Sequence, residues 1–282
     1  MWTTRQGMLS IVMPAFNEAS RIEETLREVH DAAGRLFERT EIIVVDDGSR
    51  DATRESVRRA ASRIPGIRLI GCDANRGKGQ ALKAGALRAR GDAIAFVDAD
   101  LDIHPRQLVV LLDEMDRTGA AVVVGSKHHP RSRVENYPAK RRLFSLGYYA
   151  LVRLLFRLPI RDTQTGLKVF RRDALRDVVP RVLAKRFAFD LEMLAVAHRR
   201  GHVLVDAPID VVFQRAFGRI HAGDACNTLV DTLGVTYRMY LRNHYARSHV
   251  DLFDRSIYVD VPLRGAVTGE AVRAEAIVLS AN

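Results

Sequence analysis

The sequence predicts an α/β fold with a mostly parallel central sheet flanked by helices. Two apolar runs, residues 41–45 and 93–97, stop at carboxylates, and helix-forming segments separate such runs along the chain. Continuous apolar strands of this kind are buried on both faces, which is typical of parallel sheets. With 282 residues, of which 47% are hydrophobic, the chain can bury one large core and is not disordered.

The elements alternate through about Gly125. Apolar runs predict strands over residues 9–14, 41–45, 93–97, 203–206 and 209–213, with possible strands near 257–261 and 276–279. Amphipathic spacing or start signals predict helices over residues 20–36, after 51, 80–90, 143–158 and 227–241.

Alternating carboxylates follow the strand that begins near Ala93. Asp98 and Asp100, separated by Ala99, point to one face of an extended chain, and Asp102 joins them if the backbone stays extended. Mg²⁺ or Mn²⁺ takes such oxygen ligands and typically shares one or two carboxylates with substrate phosphates. The pattern therefore predicts a metal site for a nucleotide diphosphate, although an isolated pair of this kind is as often a solvated acidic loop.

Asp46 and Asp47 end the second strand and precede a turn glycine. Ligands of parallel sheets bind beyond the carboxyl ends of the strands, so both carboxylates are predicted to lie on the same rim as Asp98. There they can accept hydrogen bonds from a base or ribose, with Pro14 and Phe16 as a wall for the base. Helix capping is the alternative, because Ser49 also suits a helix start.

A cation between two glycines, Lys78, opens the helix after residue 77. Glycines let the backbone approach an anion, and a helix N-terminus carries partial positive charge. The segment predicts a contact with the diphosphate, but by itself it is also compatible with a simple turn.

The order of these motifs resembles the family 2 glycosyltransferases of the GT-A fold, which is Rossmann-like, and within them the dolichyl- or polyprenyl-phosphate glucosyl- and mannosyltransferases. The resemblance runs from Ile11 to about His221. It is carried by residues 12–18, 45–49, 75–79, 98–100, 125–127, 162–168, 187–192 and 207–209.

The resemblance implies roles for single residues. Pro14, Phe16, Glu18 and Asp46 would contact the nucleoside, and Asp98 and Asp100 would hold the metal on the diphosphate. Lys127 occupies a position where relatives place a cation near the phosphates. Asp102 is a departure, since relatives often carry an amide there.

The resemblance also implies a basic segment that closes over the bound donor, residues 214–221. Arg215 holds the matching basic position. His221 stands where relatives usually end the segment in lysine, so closure would depend on pH if the imidazole must be charged, since histidine titrates near about 6.5.

The acceptor decides whether a base is needed. A lipid monophosphate arrives ionised, whereas a sugar hydroxyl must lose a proton. Asp190 is the candidate base by motif, and Glu192 is second; the alternative for both is a structural ion pair or helix cap. The family chemistry implies inversion at the anomeric carbon.

Residues 127–161 form the most basic part of the chain and suggest the acceptor side. An apolar stripe follows through the helix at 143–158, and Arg142, Arg153 and Arg157 are predicted on another face. Such a helix suits a membrane interface with anionic headgroups. A core-packed helix with a solvated basic face is the alternative. Other cations precede the helix: Arg131, Arg133, Lys140 and Arg141.

A net charge of +10 and a pI near 10.0 favour an anionic partner. Membrane phosphate is favoured over nucleic acid, because no nucleic-acid-binding pattern is present. Neither a signal peptide nor a spanning segment is recognised, so we expect a cytoplasmic protein at the membrane face. Cys72 and Cys226 lack metal spacing and predict no zinc site.

These observations predict a catalytic domain over residues 1–221 and a C-terminal amphipathic helix and tail over 222–282. The leading hypothesis is metal-dependent transfer of a hexose, most simply glucose from UDP-glucose rather than a GDP-sugar, to a polyprenyl or dolichyl phosphate. One alternative keeps the donor and uses a soluble hydroxyl acceptor. Another is a module that binds nucleotide sugars or anionic lipids without turnover.

Overall fold

The computed structural model describes residues 5–137, 139–185, 188–213, 222–246 and 253–263. The strands are β1 (Arg5–Ala15), β2 (Phe37–Asp46), β3 (Ile67–Gly71), β4 (Ala93–Phe96), β5 (Val122–Ser126), β6 (Arg133–Glu135), β7 (Lys168–Arg171), β8 (Leu204–Pro208), β9 (Asp210–Val212) and β10 (Val259–Asp260). The helices are α1 (Ile22–Gly34), α2 (Thr53–Ala61), α3 (Lys78–Ala86), α4 (Leu108–Thr118), α5 (Ala139–Phe156), α6 (Arg172–Val178), α7 (Ala188–Arg199) and α8 (Ala222–Thr236), which continues as a π-helical turn over Tyr237–Leu241.

The central sheet has the strand order β10-β3-β2-β1-β4-β7-β5-β8. The pairs β3-β2, β2-β1, β1-β4 and β5-β8 are parallel, and β7 runs antiparallel to both of its neighbours. The predicted α/β fold with a mostly parallel sheet is therefore confirmed. The antiparallel β7 matters for the site, because it enters the sheet from the loop at residues 162–167 and brings that loop to the carboxyl end of β4.

Hydrophobic cores cover both faces of the sheet. Along β1, Ile11 and Met13 belong to one core, whereas Val12 belongs to the other, and all three are fully buried. This alternation follows from the two-residue period of a strand. It explains why the strand sequences are continuously apolar and why their polar residues cluster at the strand ends.

The C-terminal segment beyond residue 221 is part of the same core. Met239, Tyr245 and Tyr258 are at most 3% exposed and pack in one core with residues of the central sheet. Strand β10 extends the sheet by pairing with β3. The described part of residues 222–282 therefore packs against the same sheet as residues 1–221, whereas the strand predicted at 276–279 lies outside the described residues.

Glu192 of α7 joins this segment to the core. It is fully buried, and its carboxylate accepts hydrogen bonds from the backbone N–H groups of Leu183 and Ala184 at 2.9 and 2.6 Å. Arg238 donates to it from Nε at 3.0 Å and from Nη2 at 2.8 Å, and the Tyr245 hydroxyl donates as well. These bonds give Glu192 the structural role that was the alternative to a catalytic base.

The apolar stripes of α5 and α8 face outward. Leu143, Leu146 and Leu154 of α5 are 45–76% exposed, and the helix packs inward through Val152 and Phe156 instead. Arg142 and Arg153 of α5 are exposed as well, as is Arg157 just after the helix. In the described residues, no helix is long and apolar enough to span a membrane.

Replacing Arg238 by Met should lower the free energy of unfolding by about 1.5–3 kcal/mol, because it removes the two charge-assisted hydrogen bonds of a buried carboxylate. Urea unfolding followed by circular dichroism measures this loss. The matched control is Arg117→Met, whose guanidinium pairs with Glu114 on the surface of α4 and should leave stability unchanged. Equal unfolding midpoints for the two variants would contradict the anchoring role of Glu192.

Candidate active site

The predicted site residues meet at the carboxyl edge of the sheet. Ala15 of β1 pairs with Asp46 of β2, and Val12 of β1 pairs with Phe96, the last residue of β4. Asp98 and Asp100 follow β4 directly. The rim expected from the sequence is therefore present, and its carboxylates are met by cations from other elements.

Lys78 forms an ion pair with Asp98, with 2.6 Å between Nζ and Oδ1, and both side chains are about a third exposed. Burial lowers the pKa of Lys78, but Asp98, Asp190 and Asp100 outweigh it and raise the pKa to about 12. The lysine is thus charged and lies among three carboxylates. An ammonium group in this position can also meet the phosphates of a bound nucleotide.

The glycines around Lys78 have distinct roles. Gly77 has a φ of +99° and provides the N-cap of α3, a conformation that side chains rarely adopt. A Cβ on Gly79 would lie 2.5 Å from the Cβ of Phe189. The first glycine therefore turns the chain into the helix, and the second lets α3 approach α7, which carries Asp190.

Gly166 leaves the space that the Asp98 carboxylate occupies. A Cβ on Gly166 would lie 2.0 Å from Oδ2 of Asp98. The carboxylate consequently sits against the bare backbone of the loop that leads into β7. This contact had no signal in the local sequence around Asp98.

Asp100 is the carboxyl group of this cluster whose ionisation is disfavoured by its surroundings. Burial, together with the nearby Asp98 and Asp102, raises the pKa of Asp100 to about 6. Asp102 donates its backbone N–H to Oδ1 of Asp100 at 3.2 Å. The backbone is not extended here, because Leu101 has a φ of +59°. The condition under which Asp102 would join the other two carboxylates is therefore not met.

The carboxylate pair fits a divalent cation bound together with a diphosphate. Within the described ranges, no three His, Cys, Asp or Glu side chains are grouped as a metal cage. Asp98 and Asp100 nevertheless offer oxygen ligands at a partly exposed strand end, and the pKa of Asp100 is raised by burial and by the negative charge of Asp98 and Asp102, which a cation would offset. Mg²⁺ and Mn²⁺ sites of this kind take their remaining ligands from phosphates and water.

Asp190 is held by a lysine that had not been singled out from the sequence. Nζ of Lys168 lies 2.7 Å from Oδ1 of Asp190, and the lysine also donates to the carbonyl oxygen of Thr165. Lys168 is fully buried and Asp190 is 6% exposed. Asp190 is thus paired with a buried ammonium group.

Asp46 and Asp47 are both buried and have different partners. Oδ2 of Asp46 accepts from Nε of Arg54 at 2.6 Å, and Oδ1 accepts from the backbone of Ser49 at 3.3 Å. Asp47 accepts the backbone N–H groups of Arg76 and Gly77 at 2.9 and 2.8 Å. Asp46 thus lies beside a guanidinium at the end of β2, while Asp47 holds the loop before Lys78.

The residues after β1 form a wall beside Asp46. Phe16 is 41% exposed, and Pro14 and Glu18 are partly exposed. Asn17 has a φ of +56°, and its side chain accepts the N–H of Arg50 at 2.9 Å. The N–H of Glu18 binds Oγ1 of Thr53 at 2.9 Å. The loop is thereby tied to the turn after β2, and Phe16 is left available to a planar ligand.

Lys127 is tied to Asp162. Its Nζ lies 2.7 Å from Oδ2 of Asp162, which also accepts from Oγ1 of Thr165 at 2.6 Å. Burial opposes ionisation of Asp162, but Lys127 and the hydrogen bonds hold its pKa below the ordinary value. Lys127, which was expected near the phosphates, therefore holds the loop that carries Gly166 through its ion pair with Asp162.

Arg215 and His221, the proposed closing residues, lie outside the described residues. Sequence reasoning also missed Arg54, Gly166 and Lys168 as parts of the site. Gly166 and Lys168 lie within the segment 162–168 that carried the resemblance, so the segment was found without the roles of these two residues. Arg54 had no signal beyond its place in the helix after Asp46.

The mostly parallel sheet, the carboxylates beyond its strands and the glycine-flanked lysine define an α/β protein of the GT-A class. The sequence model of the family named Glycosyl transferase family 2 matches residues 10–179. The chain belongs to this family.

The relatives point to the same family. A dolichyl-phosphate beta-glucosyltransferase of Trichomonas vaginalis is 36% identical over 217 residues, covering 71% of this chain and 63% of the relative. The dolichyl-phosphate beta-glucosyltransferase of Homo sapiens is 31% identical over 212 residues, covering 70% of this chain and 65% of the relative. The chain thus matches slightly less than two thirds of the length of these curated relatives.

The fold is similar to that of glucosyl-3-phosphoglycerate synthase from Mycobacterium tuberculosis, solved in complex with Mn²⁺, UDP and glucosyl-3-phosphoglycerate. The TM-score is 0.60 at 20% identity, with 82% of this chain and 80% of that chain covered. At this identity the likeness establishes the GT-A fold.

Gly166→Ala should keep the fold and displace the Asp98 carboxylate, because the new methyl group occupies its position. We expect binding of Mn²⁺ with UDP, measured by isothermal titration calorimetry, to weaken about tenfold or more, which corresponds to about 1.4 kcal/mol. Gly147→Ala is the control, since a Cβ there meets no atom within 4 Å. Unchanged affinity in the Gly166 variant would contradict the placement of Asp98 in the donor site.

Asp100→Asn should raise the melting temperature of the metal-free protein at pH 7.5. The pKa of Asp100 is about 6 in the folded protein, above the ordinary 3.8, so its ionisation destabilises the folded state above pH 6. This cost shrinks as the pH falls toward 3.8, and the gain from Asn should shrink with it. Asp31→Asn, at an exposed position of α1, is the control. A gain that is equal at pH 7.5 and 5 would contradict the charge cluster.

Proposed function

We propose that the protein is a metal-dependent, inverting glycosyltransferase that moves glucose from UDP-glucose to a dolichyl or polyprenyl phosphate. The observation that carries this proposal is the cluster of Asp98 and Asp100 with Lys78 at the carboxyl edge of the sheet. The curated relatives, named as dolichyl-phosphate beta-glucosyltransferases, support the sugar and the acceptor. The mycobacterial synthase, solved with Mn²⁺ and UDP, supports these ligands on this fold.

The donor half of the reaction requires stabilisation of a departing diphosphate. A bound Mg²⁺ or Mn²⁺, held by Asp98 and Asp100, would neutralise the negative charge that develops on the leaving group. Lys78 contributes a permanent positive charge beside the same carboxylates. Asp46 and Phe16 line the side where the nucleoside would lie, and Asp47 keeps the intervening loop in place.

Asp190 and Lys168 lie beyond Lys78 and face the acceptor half in this proposal. A phosphate acceptor is already ionised and needs no base, so Asp190 balances the lysines, and its contribution to Lys78 is one cause of the raised pKa there. With a hydroxyl acceptor, Asp190 would take the proton. The effect of removing this carboxylate therefore differs between the two acceptor classes.

A pocket between α5 and the loop at 158–164 suits the acceptor phosphate. It is lined by Ser145, Tyr149, Arg153, Arg161 and His128, whose ring stacks on Tyr149. Burial lowers the pKa of His128, so at neutral pH the imidazole is a neutral partner, 3.0 Å from Oγ of Ser145. Arg153 would supply the positive charge, since Arg161 is paired with Asp206 at 3.0 Å.

The α5–α8 surface supports peripheral contact with a membrane. The helices lie side by side, with 3.2 Å between the hydroxyls of Tyr148 and Thr232 and 2.8 Å from the Tyr240 hydroxyl to the carbonyl of Leu155. The surface consists of the exposed apolar residues Leu143, Phe144, Leu146, Leu154, Leu229, Val230, Leu233, Tyr237, Tyr240 and Leu241. Arg142, Arg153 and Arg157 border it. This composition suits insertion below anionic headgroups.

Purified protein should transfer glucose from UDP-glucose to a short-chain polyprenyl phosphate only when Mn²⁺ or Mg²⁺ is present. Asp98→Asn should lower kcat/KM by about 10²- to 10³-fold, the scale of losing one strong electrostatic contact in a transition state. Asp177→Asn is the control, since this carboxylate binds Arg200 outside the site. Equal transfer in the presence of EDTA would contradict the proposal.

The acceptor class is tested by Asp190→Asn. The variant should retain most transfer to polyprenyl phosphate and should lose transfer to any water-soluble sugar that accepts glucose. The hydroxyl alternative would be correct if the wild-type protein transferred glucose to a soluble hydroxyl and not to polyprenyl phosphate, and if Asp190→Asn abolished that transfer.

The protein should bind vesicles that contain anionic phospholipid, with an affinity that falls as salt screens charge over about 8–10 Å. Replacing Arg142, Arg153 and Arg157 by Gln should weaken binding at low salt by about tenfold or more, because each basic residue contributes about 1 kcal/mol near such a surface. Leu143→Ser with Leu154→Ser should weaken binding at every salt concentration. Val203→Ser, 56% exposed elsewhere, is the control. Vesicle sedimentation that is insensitive to all of these changes would contradict the membrane contact.

A further inference from the structure

Strand β10 and the residues before it bring a buried tyrosine to the donor side of the site. Tyr258 is 1% exposed, and its hydroxyl donates to Oδ1 of Asp47 at 2.7 Å. Its sequence position lies far from every motif that marks the site. Neither the family model, which matches residues 10–179, nor the motifs of the resemblance includes this residue.

Asp47 links Tyr258 to the loop before α3. The same carboxylate accepts the N–H of Arg76 at Oδ1 and that of Gly77 at Oδ2. Gly77 directly precedes Lys78, whose Nζ pairs with Asp98. The turn after Asp47 also packs tightly on this loop, because a Cβ on Gly48 would lie 2.6 Å from the carbonyl carbon of Ala74.

Tyr258 is itself held from several directions. The N–H of Val261 binds the carbonyl of Leu69 at 2.8 Å, which continues the pairing of β10 with β3. The Tyr258 ring stacks on that of Phe253, with 6.3 Å between centroids. Arg88, just after α3, donates to the carbonyl oxygen of Tyr258. The hydroxyl is therefore presented to Asp47 in a fixed position.

We propose that Tyr258 is a positioning residue for the donor: its hydroxyl orients the Asp47 carboxylate, which fixes the backbone at Arg76 and Gly77 and thereby aims Lys78 at the diphosphate. This inference rests on the donor function proposed above. Since a buried carboxylate keeps its geometry only while its donors are in place, loss of one hydroxyl loosens the loop on which Lys78 depends.

The chain contains a matched control. Tyr245 is also 1% exposed, and its hydroxyl also donates to a buried carboxylate, that of Glu192. Glu192 binds the backbone N–H groups of residues 183 and 184, whereas Arg76 and Gly77 donate theirs to Asp47. The two regions meet beyond Lys78, where the carbonyl of Lys185 accepts the N–H of Gln80 at 3.2 Å. Tyr258→Phe and Tyr245→Phe therefore each remove one hydroxyl that donates to a buried carboxylate. Only in Tyr258→Phe does that carboxylate bind the loop before Lys78.

The experiment compares wild type, Tyr258→Phe and Tyr245→Phe by calorimetry with Mn²⁺ and UDP and by amide hydrogen exchange over residues 75–80. We expect Tyr258→Phe to weaken UDP binding about 5- to 10-fold, within the range of one typical intramolecular hydrogen bond. Exchange at Gly77 should accelerate in the same variant. Tyr245→Phe should lower the melting temperature while leaving UDP binding and Gly77 exchange unchanged.

Equal UDP affinity in wild type and Tyr258→Phe would overturn the inference, as would an equal loss in both variants, since that would reflect general destabilisation. Absence of Mn²⁺–UDP binding in wild type would instead remove the proposed function. Hydrogen exchange would then still decide whether Tyr258 orders the loop, because accelerated exchange at Gly77 in Tyr258→Phe alone requires the contact through Asp47. The two failures are thus distinguishable.

Discussion

Charge balance at the carboxyl edge of the sheet is the constraint on which the site depends. An unpaired buried charge costs several kcal/mol, so the carboxylates gathered there must be matched by cations or hydrogen-bond donors. Ion pairs supply the match in Lys78–Asp98, Lys168–Asp190, Lys127–Asp162 and Arg54–Asp46. The ionised form of Asp100 is less well compensated, because burial and then the neighbouring Asp98 and Asp102 raise its pKa. A divalent cation bound at this point would offset both effects.

The partners of these carboxylates come from distant parts of the chain, so the site forms only when the whole sheet is assembled. Lys78 begins a helix after β3, Lys168 begins the antiparallel strand β7, and Tyr258 arrives next to the last described strand. Glycines at positions 77, 79 and 166 let the backbone turn or come close where these groups meet. The C-terminal segment thereby contributes at two places. Tyr258 binds Asp47, which holds the loop before Lys78, and α8 lies beside α5 on the exposed apolar surface.

Much of this arrangement could be predicted where the signal was local. Apolar runs ending in carboxylates located β2, β4 and the rim, and helical spacing located the stripes of α5 and α8. Spacing could not show that both stripes face outward, because burial depends on which neighbours the fold supplies. The extended backbone assumed for Asp102 failed at Leu101, which adopts a left-handed conformation. The motif ranked Asp190 before Glu192 as a base, but sequence could not show their different partners, Lys168 for Asp190 and Arg238 for Glu192.

The proposed function requires that Asp98 and Asp100 hold a divalent metal against the diphosphate of a bound nucleotide. Anomalous diffraction at the manganese edge, from crystals grown with Mn²⁺ and UDP, locates the metal and the nucleotide together. We expect one anomalous peak within coordination distance of the Asp98 or Asp100 carboxylate and of the UDP phosphates, with Phe16 and Asp46 beside the uridine. Ordered UDP at another edge of the sheet, or a manganese peak that touches neither carboxylate, would contradict this arrangement.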